Sequence, residues 1–136
     1  MAFNIELEFL GSWTAAQQAI CELAAAKWES VITDGGSTQA HPSTRCADGA
    51  ANPSYPGTIE DLYVTISSET LGAGILGSAS ICWLRGDATA DDYYMPFYGR
   101  LILSTPYIED FSDTSLPGTG ETIDGTTVAA QSKLYY

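Results

Sequence analysis

Residues 3–31 read FNIELEFLGSWTAAQQAICELAAAKWESV, and two hydrophobic periods meet within them. Phe3, Ile5, Leu7 and Phe9 alternate with polar residues, the period of a strand with one buried face. Gly11 and Ser12 end that run. Thr14-Ala15-Ala16-Gln17 then fits a capping box, in which the Thr hydroxyl accepts from the third helical N–H and the Gln side chain reaches back. Beyond it Ala16, Ile20, Leu23, Ala24, Trp28 and Val31 recur at three- and four-residue spacing, which predicts an amphipathic helix with these residues facing the core. Gln17, Gln18, Glu22 and Glu29 fall largely off that stripe, and Gly35-Gly36 offers a left-handed stop.

Downstream, residues 35–58 are rich in Gly, Ser, Pro, Asn and Ala without periodicity, and read as a long surface loop. The loop carries the single histidine, His41, and Cys46, with no third ligand close in sequence to complete a metal site. Ile59–Ile66 is β-branched and aromatic and reads as a strand. The glycine-rich run Gly72–Ala79 leads into a further strand over Ile81–Leu84; it is not a GxGxxG in a βαβ unit, so no nucleotide site is expected. Arg85-Gly86-Asp87 spells an adhesive tripeptide but reads as an ordinary turn after a strand. Tyr94–Tyr98 leads to a strand over Gly99–Ser104. Glu109, Asp110 and Asp113, followed by Glu121 and Asp124, make 107–125 an acidic loop. The first three are the candidates for Ca2+, although the EF-hand spacing is absent and a solvated loop is the simpler reading. Thr126–Tyr136 is apolar and glycine-free, the profile of a helix beginning.

The expected fold is therefore α+β (α/β-like): a small twisted mixed sheet of about four strands with one long helix packed on a face. Its 136 residues suit a single domain. The balance of 17 acidic against 5 basic residues, a net charge of -12, repels phosphate, which excludes nucleic acid and anionic membrane as partners. No apolar run reaches the ~20 residues of a membrane helix. The N-terminal MAFNIELEFLG has acids within its apolar stretch and no basic leader, so no signal peptide is read in this sequence. Cys21, Cys46 and Cys82 are too far apart for a CxxC pair, and permit either three thiols or one disulfide with one thiol. His41 lies in the least regular segment, and neither Cys21 nor Cys82 has a basic neighbour in sequence, so no catalytic constellation emerges.

The opening "F-x-I-x-L-x-F…T-A-x-Q…A-x-x-W-E-x-V-I", followed by DLYVTIS, GAGILGSASICWLR and MPFYGRLILSTPYIEDF, resembles the N-terminal half of bacterial leishmanolysin-like zinc metallopeptidases, of the metzincin group. The resemblance spans most of residues 3–111. It implies a twisted sheet, a long first helix behind it and an edge strand that takes extended polypeptide by strand addition. Gly99, Arg100, Leu101, Ile102, Leu103 and Ser104 match that edge strand. In the family the next element is a helix bearing HExxHxxGxxH, whose His residues hold zinc. This sequence contains no HExxH, so no zinc ligand or catalytic residue carries over, and the chain by itself is not expected to hydrolyse peptides.

Two functional expectations follow. One is a non-catalytic, metzincin-like structural or binding module that associates with protein through a sheet edge or face, with itself or in a larger assembly. The alternative is a fragment or subunit of a secreted zinc peptidase whose active-site helix lies outside this chain. Zinc enters only in that second case, calcium only through the acidic loop. The resemblance implies an extracellular or particle-surface location.

Overall fold

A computed structural model describes residues 2–87, 89–106 and 108, and the backbone of two short strands at 122–123 and 126–127. The strands and helix run in the order β1 (Ile5–Leu10), α1 (Ala15–Val31), β2 (Gln39–Ala40), β3 (Thr58–Ile59), β4 (Leu62–Glu69), β5 (Gly77–Leu84), β6 (Pro96–Ser104), β7 (Thr122–Ile123) and β8 (Thr126–Thr127). β1, β4, β6 and β5 form one mixed sheet in that spatial order, with β1, β4 and β6 parallel and β5 antiparallel to β6. Among the described residues, a long helix with a four-stranded mixed sheet is the α+β class expected from the sequence.

The capping box forms as read. Thr14 Oγ1 accepts from the Gln17 amide at 3.2 Å and Gln17 Oε1 accepts from the Thr14 amide at 2.9 Å. The helix face differs from the expected stripe. Gln17, Ile20 and Cys21 are buried, whereas Trp28 is 61% exposed and Val31 also faces solvent. Gln17 is drawn in by its cap, and Glu22, Ala25 and Glu29 line an open groove shared with Ile5 and Leu7 of β1. Glu29 accepts from the Ile5 amide at 2.6 Å, so a polar bond positions this side of the helix.

The helix stops before its expected glycines. Ile32 caps it in an extended conformation, its amide bonded to the Trp28 carbonyl at 3.0 Å, and neither Gly35 nor Gly36 is left-handed. These glycines permit close approach instead. A Cβ on Gly35 would lie 2.2 Å from Asp61 Oδ1, and one on Gly36 only 2.3 Å from Arg85 Cζ.

The expected loop at 35–58 is an ordered excursion. β2 pairs with β3 at its base, and a bridge joins Thr44 to Ala51 within it. It lies over the face of the sheet opposite α1. There His41 packs edge-on to Tyr63 at 4.6 Å, Tyr63 to Tyr98 at 5.0 Å, and the Cys46 amide donates to the Tyr98 hydroxyl at 3.2 Å. Each aromatic pair adds about 0.5–1.5 kcal/mol beyond the area it buries. Ile59, Tyr63, Phe97 and Tyr98 form the centre of the core, with Cys46 and Cys82 against it.

The strand expected at 59–66 is divided at Glu60-Asp61, because Asp61 turns inward to accept from the amides of Asn4 and Gly36, both at 2.8 Å. At the far end of the chain, Thr126–Thr127 pairs with Thr122–Ile123 as a hairpin strand, so the expected helix does not begin there. Glu109, Asp110 and Asp113, and the rest of the acidic loop apart from that hairpin's backbone, lie outside the described residues, as does the remainder of 128–136.

Candidate functional site

The expected edge strand is an interior one. Gly99–Ser104 belongs to β6, which is hydrogen-bonded to β4 on one side and to β5 on the other. Ile102 and Ser104 are buried, Gly99, Leu101 and Leu103 half-buried, and Arg100 pairs with Glu69 at 3.2 Å. The chain passes from β4 to β5 leaving one strand-width open, and β6 later fills it. No local pattern records such an insertion. The antiparallel edge is β5, Gly77–Leu84.

Ladder phase determines what this edge offers. The Ser104 amide donates to the Leu76 carbonyl at 2.8 Å, making these residues a hydrogen-bonded pair in line with the β5–β6 register. In an antiparallel ladder such pairs alternate with non-bonded ones. Ser78 and Ser80 therefore spend their amides and carbonyls on β6, and Gly77, Ala79 and Ile81 direct theirs outward, where no described strand meets them. The register shifts between Ile81 and Leu84, ending the regular stretch.

The edge is uncharged and apolar. Residues 71–84, LGAGILGSASICWL, include no ionisable side chain other than Cys82, in a chain of net charge -12. Ile75, Leu76, Ile81, Trp83 and Leu84 are all exposed, Ile81 by 64%. Edges are ordinarily protected by lysine, proline or inward-pointing charge, and β5 has none of these along Gly77–Ile81. The opposite edge contrasts with it: β1 carries Glu6 and Glu8, and its Ile5 amide is taken by Glu29.

Two anchors hold β5 in place. A disulfide joins Cys82 to Cys46, tying the strand to the excursion over a sequence separation of 36, with the Cα atoms 5.9 Å apart. Immediately after the strand Arg85 is 2% exposed. Its guanidinium donates to the carbonyls of Ser37 (3.0 Å), Pro96 (3.0 Å) and Asp61 (2.7 Å), pairs with Asp92 at 3.0 Å and lies over the Phe97 ring at 5.9 Å. The Ser37 amide also donates to Asp92, and that bond holds the carboxyl below the ordinary aspartate range. The arginine of Arg85-Gly86-Asp87 is thus a structural hub, and the tripeptide is not displayed as a unit.

The other sequence candidates do not assemble into chemistry. Cys46 is committed to the disulfide and His41 is buried with its Nδ1 3.3 Å from Asn52 Nδ2, so the two do not form a metal pair. Tyr63 donates to Glu8 at 2.5 Å, and burial first, then this carboxylate, raises the phenol's pKa, which leaves it a structural donor. Burial likewise pushes the free Cys21 thiol up to about 11, the opposite of an activated nucleophile. Among the described residues no three His, Cys, Asp or Glu side chains are grouped to hold a metal ion, and no helix is long and apolar enough to cross a membrane. Sequence reasoning missed this edge; the signal that could have marked it is the uncharged run 71–84, visible as composition but not as position.

Comparison with known proteins finds no matching family model, no matching curated protein and no matching solved structure.

Proposed function

We infer that this chain is a non-catalytic structural or binding module whose partner is protein, taken up by strand addition at the outer edge of β5. The observation that carries this reading is the run of outward amides and carbonyls at Gly77, Ala79 and Ile81 on an uncharged, apolar strand fixed at one end by a disulfide and a buried arginine. Main-chain hydrogen bonds would supply affinity in such a complex and the alternate side chains selectivity. A rigid edge loses little conformational entropy on binding.

We also propose that the chain is related to the N-terminal half of metzincin-type peptidases. In its favour are the mixed sheet, the long helix α1 and an antiparallel strand at one edge, although that strand is β5 where the sequence match pointed to β6. The Cys46–Cys82 bridge suits an extracellular or particle-surface location, since disulfides persist in oxidising compartments.

The test uses a capped peptide of residues 77–84 carrying Cys82→Ser, added to the whole chain diluted until light scattering shows a monomer, while amide exchange is followed. Protection of the Gly77, Ala79 and Ile81 amides should rise at least about tenfold, whereas Ser78 and Ser80 are protected beforehand. Unchanged exchange at all three outward amides with saturating peptide would sink the strand-addition reading.

A further inference from the structure

We propose that the occupant of the β5 edge is a second copy of this chain, joined antiparallel across a two-fold axis at Ala79. This rests on the edge reading above and deepens it by naming the partner.

The edge is complementary to itself in three respects. The outward-directed residues are Gly77, Ala79 and Ile81, symmetric about Ala79. An antiparallel copy centred there sets Ala79 opposite Ala79 and Gly77 opposite Ile81, so every outward amide meets an outward carbonyl. The result is an isologous contact that joins two four-stranded sheets into one. A shift of one residue along the strand would bring outward groups against groups already spent on β6.

Side-chain size follows the same symmetry. Ile81 is the most exposed large aliphatic residue of the strand, and the position facing it would be a glycine, which leaves room for it. Exposed apolar residues also flank both ends of the outward run, Ile75 and Leu76 before it and Trp83 after it. Antiparallel pairing carries one copy's Ile75 towards the other copy's Trp83. Parallel pairing would leave each end against its like and lose the Gly77–Ile81 fit.

Charge favours this route over other contacts between copies. Two chains of net charge -12 repel, but residues 71–84 bring no charge to the contact. At the β1 edge Glu6 would be brought towards a second acidic edge, whereas Glu8 is already paired with Arg45 at 3.1 Å.

Light scattering and sedimentation on the whole, oxidised chain read the outcome. At sufficient concentration the mass should be twice 14.5 kDa. Ala79→Pro removes an amide that β6 does not use, a place where an edge strand tolerates proline. It should weaken the dimer about thirtyfold or more, because one donor is lost from each copy. Ile81→Lys, at an exposed position, should do the same by placing a charge in the contact, and melting curves show whether each variant is folded. A dimer that neither folded variant weakens would overturn the proposal, since the contact would lie elsewhere. A monomer at millimolar concentration that still protects its edge with the 77–84 peptide would also overturn it, while leaving the edge reading intact with another polypeptide as partner. A monomer whose edge ignores the peptide would remove both readings.

Discussion

Removing the Cys46–Cys82 bridge gives the most quantitative check on how the edge is held. The perturbation is the double substitution Cys46→Ser, Cys82→Ser. The bridge closes a loop of 36 residues, and the loop-closure relation gives an entropy loss in the unfolded chain of about 13 cal/mol/K, or about 4 kcal/mol at 25 °C. The two sulfurs also pack against the Ile59, Tyr63, Phe97 and Tyr98 cluster, and replacing them by hydroxyls adds to the loss. For a chain of this size, 4 kcal/mol corresponds to a melting temperature lower by about 10–15 °C. It also moves the urea midpoint down by about 2 M for an m-value near 2 kcal/mol/M. Urea unfolding of the oxidised protein and the double variant, followed by tryptophan fluorescence, measures it directly. The reasoning fails if the loss is below about 1 kcal/mol, or if the denatured, unreduced protein titrates three thiols rather than one.

Arg85→Met should destabilise by about 3–5 kcal/mol, because it strands the Asp92 carboxylate and three carbonyls that the guanidinium satisfies; wild-type stability by chemical denaturation would count against the hub. Gly36→Ala should cost about 1–3 kcal/mol through the clash of its Cβ with Arg85, and a double-mutant cycle should show that much of this cost disappears when Arg85 is Met. The Cys21 thiol keeps its proton in the folded chain up to about pH 11, against 9.0 for an ordinary thiol. Its contribution to stability is therefore complete below pH 9 and declines as pH rises from 9 to 11. Over that window Cys21→Ala should show a shallower fall in melting temperature than wild type, and equal slopes would contradict a buried thiol.

How far the sequence could be read varied from element to element, for physical reasons. The Thr14–Gln17 capping box was legible because it is a contact between residues three apart, and it formed as read. Strands β1, β4 and β6 were legible because alternation and β-branching are local properties, whereas β5 was expected only over Ile81–Leu84 and in fact begins at Gly77, in small residues that carry no such signal. Helix orientation was not: Trp28 and Val31 are apolar yet exposed, while Gln17 is buried and Glu29 reaches β1 to bind the Ile5 amide. The glycines at 35 and 36 look like a helix stop in sequence, but what requires them is Asp61 and Arg85, 26 and 49 positions away.

By itself, then, the sequence determined the class of the fold, the position of its helix, the uncharged character of residues 71–84 and the absence of HExxH. These are properties of neighbouring residues and composition, and need no knowledge of what lies across the sheet. Strand order, the Cys46–Cys82 pairing, the burial of Arg85 and the exposure of β5 were decided only in three dimensions. Which strand becomes an edge depends on where β6 inserts, and the outward amides of Gly77, Ala79 and Ile81 follow from its register with β5. That long-range register turned an unremarkable stretch of small and apolar residues into the surface on which the proposed function rests.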